Sequence, residues 1–147
     1  MAAADDLDQV IEQYHQALDE FSRGNPDPVK EFYSGRDDVA IANPFFPLTR
    51  GREQVVERLE RSVRNFSDGQ VGFQNVAKWV SGELACIVEL EEWKAKVGGR
   101  EDVTPFTLRV TTLFRAEGGD WKVVHRHADP ITAPQPTKSV IQEQIHP

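Results

Sequence analysis

Three stretches of the chain carry the spacing of an amphipathic helix. Residues 5–21 place Leu7, Val10, Ile11, Tyr14, Ala17, Leu18 and Phe21 three and four apart, a single apolar stripe. Asp5 or Asp6 suits the cap of this helix, and Arg23-Gly24-Asn25-Pro26 suits its end. Residues 26–33 predict a second, short helix, with Asp27 as cap, Pro28 at the first helical position and Val29, Phe32 and Tyr33 turned inward. Residues 51–66 predict a third, with Val55, Val56, Leu59, Val63 and Phe66 on its stripe. Before it, residues 39–42 read as a short strand stopped by Asn43-Pro44. Phe45, Phe46, Pro47 and Leu48 then read as an apolar loop, either folded over the core or forming the lip of a pocket.

The second half of the chain changes period from helix to strand. Residues 71–80 and 84–96 predict two strands, the latter with Ala85, Ile87, Glu89, Glu91 and Trp93 on one face and Leu84, Cys86, Val88, Leu90 and Glu92 on the other. Residues 104–129 predict a long hairpin turning at Gly118-Gly119, because glycine accepts the positive φ of a tight turn. Plain alternation puts His125 and His127 on one face with Trp121, Val123 and Asp129. A strict two-residue turn sets Thr112 opposite His125 and puts Arg109 with Arg126 and Ala128, away from the histidines. A bulge beside the turn exchanges those sets. Helices followed by a sheet predict an α+β fold. The expected form is a cone: a curved mixed or antiparallel sheet with three N-terminal helices on its concave face, enclosing a cavity. One domain, 1–147, is expected, with its core at about 7–130 and a proline-bearing tail, 131–147, partly disordered. Val140, Ile141 and Ile145 are candidates for docking on a neighbour.

Composition narrows the partners. Lys and Arg number 17 against 24 Asp and Glu, and a formal charge of -7 opposes a general nucleic-acid binder. No apolar run has the length of a membrane span and no secretory signal is visible. Cys86, the only cysteine, excludes an internal disulfide and a cysteine-based zinc cluster, and fits a cytoplasmic location.

The run GGDWKVVHRHAD at 118–129, the preceding LRVTTLFRAE, and ANPFFPLTRGREQVVERL resemble the SnoaL-like or DUF4440 branch of the NTF2-like superfamily. Relatives include ketosteroid isomerases and the calmodulin-dependent kinase association domain. The resemblance implies the cone fold, a pocket between helices and sheet, and a homodimer through the outer face of the sheet. Its members include isomerases, dehydratases and cyclases as well as non-catalytic assembly domains. A serine common in the branch is replaced here by Asp129.

Candidate chemistry follows from residue type. His125 or His127 can move a proton, with Asp129 as its orienting partner, or both rings can simply bond within the sheet or an interface. Two histidines without a clear third ligand give no metal site, and no cofactor is called for. Glu89 and Glu91, if buried, can serve as bases, or they form a solvated or Arg-paired face. Arg109 can hold a carboxylate or enolate in the cavity, or neutralise either glutamate. Tyr14, Asn43, Phe45, Phe46 and Trp79 are the remaining candidates for binding a ligand. The expected ligand is a small apolar or carboxylate-bearing molecule. Two functions fit: a cofactor-independent acid–base isomerase, dehydratase or cyclase acting on a small carbonyl compound, and a non-catalytic ligand-binding or oligomerisation domain. An enclosed pocket with an arginine but no acid–base pair favours the second.

Overall fold

The computed structural model describes residues 4–142, and the side chains of residues 6–142. The capping role of Asp5 and the docking role of Ile145 lie outside them. Helix α1 spans Ala4–Ser22, α2 Asp27–Phe32 and α3 Arg52–Ser62. Strands β1 (Ala40–Asn43), β2 (Phe46–Arg50), β3 (Phe66–Ser81), β4 (Leu84–Val97), β5 (Thr104–Glu117) and β6 (Asp120–Asp129) form one sheet, ordered β2-β1-β6-β5-β4-β3. All neighbours are antiparallel except β1 and β6, which run parallel. The architecture is therefore α+β with a mixed sheet.

Three expectations are corrected. The sheet is open: β2 and β3 are its two edges, and no ladder joins them, so it does not curl into a cone. The apolar loop at Phe45–Leu48 is mostly strand, since residues 46–50 pair with β1 and extend that edge. Helix α3 ends four residues early; Val63–Asn65 tighten into a 3₁₀ turn, and Phe66 already begins β3. An apolar residue at the end of a helical stripe is equally at home as the first inward residue of a strand.

The core lies between the helices and one face of the sheet. From α1 come Leu7, Tyr14, Ala17, Leu18 and Phe21, from α2 Val29, from α3 Val55 and Leu59. The sheet presents Ala85, Ile87, Trp93, Leu108, Val110, Phe114, Trp121, Val123 and Ala128. Helix α1 comes close to β3 at Gly69. A Cβ added there would meet the backbone oxygen and side chain of Ser22 at 2.5–2.7 Å. After Asp129 the chain leaves the sheet, and residues 130–142 are exposed.

The hairpin decides which side chains face the core. Glu117 pairs with Asp120 and Phe114 with Val123, as a strict turn requires; then Leu113 pairs with His125. Val124 is the extra residue, a β-bulge that shifts all later pairing by one. Trp121 and Val123 face inward before the bulge, Arg126 and Ala128 after it. His125, His127 and Asp129 are turned to the outer face and separated from Trp121 and Val123. The single-face reading of that strand is thus corrected, and of the two registers it is the bulged one that forms.

Candidate functional site

The buried face of the sheet carries two carboxylates, and each has its own partner. Glu91 is fully buried on β4. Both of its oxygens accept from Arg126 of β6, at 2.7 and 2.8 Å, and Oε1 also accepts from the Trp93 indole at 3.0 Å. Strand β5 lies between them, with Thr112 paired to Arg126 and Leu108 paired to Glu91, so the ion pair crosses β5 on a diagonal. Burial works against the charge of Arg126, but Glu91 outweighs it and holds the guanidinium firmly protonated. Glu89, two residues earlier, is 2% exposed. His15 of α1 donates Nε2–H to it, with the ring nitrogen 2.8 Å from Oε2 and 3.0 Å from Oε1. The imidazole also stacks on Phe73, with centroids 3.7 Å apart. His15 is half-buried by that pairing.

Beside Arg126 stand two tyrosines. Burial pushes the Tyr33 phenol well above its ordinary range, and Tyr14 is raised by burial too, with Glu91 adding and Arg126 opposing. Both therefore remain O–H donors at neutral pH. The Tyr14 hydroxyl makes no hydrogen bond of good geometry, although Tyr33 and Arg126 lie near it; the Thr112 hydroxyl is likewise buried without a partner.

A partly open cavity of about 40 Å³ adjoins this group. Leu18, Phe21, Leu59, Phe66, Trp93 and Leu108 form much of its wall, and Tyr33, Asn43, Ser62 and Arg126 are its polar lining. Phe45, 48% exposed, closes one side by standing edge-on to Phe66. Asn43 serves two ends: its Oδ1 accepts from Phe45 N at 2.9 Å, an Asx turn, and its side chain reaches the cavity.

The other candidates lie elsewhere. Phe46 sits under the Arg58 guanidinium, 5.7 Å from its ring centre, and does not line the cavity. Trp79 is 58% exposed on the outer face, where it pairs with Cys86, itself half-exposed. Arg109 shares that outer face and reaches neither glutamate; its Nε donates to Asp129 at 2.7 Å. Burial alone would raise the Asp129 carboxyl, but Arg109 and the Ile131 backbone hold it below the ordinary value. His127 lies 3.8 Å from the same carboxylate. His125 donates Nδ1–H to the Ala40 carbonyl at 2.8 Å, stitching β6 to β1. His125, His127, Asp129 and Arg109 thus gather on one side of the sheet, with Glu89 and the cavity on the other.

Arg126 is the residue that sequence reasoning missed. Its signal was present: Val123-Val124 puts two apolar residues together in an otherwise alternating strand, which marks a bulge. Among the described residues no group of three or more His, Cys, Asp and Glu is placed to hold a metal, and no helix is long and apolar enough to cross a membrane.

Helices over one face of an open mixed sheet, with a small, mostly apolar cavity between them, define the class: an α+β protein with a cavity between its helices and its sheet. Residues 7–133 match the SnoaL-like domain family. The chain belongs to that family. Its fold is similar to that of a ketosteroid isomerase-like protein from Erwinia carotovora atroseptica, with 17% identity over 87% of this chain and 95% of that one and a TM-score of 0.71. It is similar to an NTF2-like superfamily protein from Salmonella enterica serovar Typhimurium, with 19% identity, 86% and 87% coverage and a TM-score of 0.71. An NTF2-like protein of unknown function from Pseudomonas putida aligns at 21% identity over 96% and 94%, with a TM-score of 0.66. No curated protein matches the chain.

Proposed function

We propose that this chain is a small-molecule-binding member of its family, and that the guest enters the cavity between the helices and the sheet. The observation that carries the reading is the buried Arg126–Glu91 pair beside a mostly apolar cavity. A polar pair of this kind serves poorly as packing, since apolar residues of equal volume stabilise a core as well or better. As the polar lining of a ligand site, with Tyr33 and Asn43, it orients a guest that apolar walls hold. The cavity is small as it stands, so a ring-sized guest requires Phe45 to swing outward.

Non-catalytic binding is favoured over turnover. Glu91 is engaged at both oxygens, and no histidine or carboxylate lines the cavity, so no free base faces the guest. The isomerase, dehydratase or cyclase reading keeps one specific support. Tyr33 beside Arg126 is the donor pair that would stabilise an enolate. A homodimer is proposed through the outer face, where Trp79, Val88, Leu90 and Leu113 are exposed or half-exposed.

The test is a fragment library followed by thermal unfolding and NMR, on the natural chain and on Leu59→Trp, which fills the cavity. Fragments should raise the melting temperature of the natural chain and not that of the folded variant. Equal shifts in both, or none in the natural chain, would remove this reading.

A further inference from the structure

The charge balance at the cavity restricts what the guest can be, granted that the cavity binds one. Among the described residues, Arg126 is the only charged one in the cavity's lining. Its charge is already answered. The guanidinium is bidentate on Glu91, Glu91 is fully buried, and Trp93 donates to the same carboxylate. The pair is closed, with no net charge, in apolar surroundings.

A carboxylate brought to this point would lose its hydration and meet no unanswered cation. It would also stand near the Glu91 carboxylate. Removing an ion from water is unfavourable unless an opposite charge is free to receive it. A neutral carbonyl meets neither difficulty. It brings an acceptor oxygen, and two residues of the lining, Tyr33 and Arg126, carry O–H and N–H donors suited to receive it. Burial keeps the Tyr33 phenol protonated. Tyr14, next to it, holds a further hydroxyl without a good partner.

We infer that Glu91 makes this cavity selective for an uncharged molecule presenting an acceptor oxygen, such as a ketone, ester or amide, and turns away the matching carboxylate. Glu91 is then a specificity-determining residue that acts through Arg126 without touching the guest.

The experiment compares matched probes, benzamide with benzoate and cyclohexanecarboxamide with cyclohexanecarboxylate, by calorimetric titration at neutral pH. The natural chain should bind each amide at least about tenfold tighter than its acid. What binding the acid retains should be accompanied by uptake of a proton, seen by repeating the titration in buffers of different ionisation enthalpy. In Glu91→Gln the preference should reverse, because Arg126 is left unanswered and a carboxylate now completes it. That variant strands a buried cation, so its folding is checked by circular dichroism. The proton-uptake measurement needs no variant and decides the matter if it does not fold. Carboxylates binding as tightly as amides without proton uptake, or a folded Glu91→Gln with unchanged preference, would overturn the inference and leave the cavity as a ligand site. Failure of all four probes to bind at millimolar concentration would overturn the cavity reading and this inference with it.

Discussion

Arg126 and Glu91 meet across an intervening strand, two hydrogen bonds long, with 8% and 0% of their side chains exposed. They join β6 to β4 over the top of β5, and they tie the position of the polar lining to the register of the hairpin. Removing one partner leaves the other charged and dry. Arg126→Met should therefore destabilise the chain by about 3–5 kcal/mol in urea unfolding. The double variant Arg126→Met/Glu91→Gln should recover a large part of that loss. If the single variant were as stable as the natural chain, the pair would not be buried as described.

The chain has two tyrosines, Tyr14 and Tyr33, and both are buried with raised pKa values. A group that keeps its proton longer when folded makes the folded state the better proton binder above the unfolded value of 10.0. Stability from this source is complete below about pH 10 and falls as pH rises from there through the folded values. Phenolate absorbance should thus stay low past pH 10 in the native protein and appear together with alkaline unfolding. A smooth titration of either tyrosine at its ordinary value, with the fold intact, would contradict this.

Asp129 titrates in the opposite sense. Its folded pKa lies below the unfolded 3.8, so its contribution is present above that value and fades as pH falls through the folded one. Arg109→Ala should move the Asp129 carboxyl upward, as read from its carbon chemical shift against pH. No movement would mean that the 2.7 Å ion pair does not form in solution.

Gly69 is held by space rather than by backbone angle. A Cβ there overlaps Ser22, including its backbone oxygen. Gly69→Ala should force α1 away from β3 and cost about 1–3 kcal/mol. Alanine at Gly82, which has open space around it but φ near 58°, tests strain alone. Chemical denaturation of both variants separates the two effects.

The proposed dimer predicts twice the chain mass by light scattering at micromolar concentration, and monomer for Leu90→Lys, which sets a cation in the half-buried outer face. A monomeric natural chain would exclude it.

Much of the scaffold was legible from local pattern. The stripes of α1 and α3, the two faces of β4 and the turn at Gly118-Gly119 depend on periodicity within a few residues of each other, which is why sequence spacing carries them. The β2 edge was not legible, because a short apolar run with a proline has no period of its own and becomes a strand only when β1 offers it a ladder. The site was harder still. Sequence named Glu89, Glu91, Tyr14 and Asn43 as residues with possible work to do. It did not name Arg126, because one extra residue at Val124 exchanges the inward and outward sets of a whole strand. Which of His125 and Arg126 is buried depends on that bulge, and the pairing of Arg126 with Glu91 joins residues 35 apart across a third strand. Residue types and periods are properties of the chain; register, openness of the sheet and the partners of a buried charge are properties of its packing.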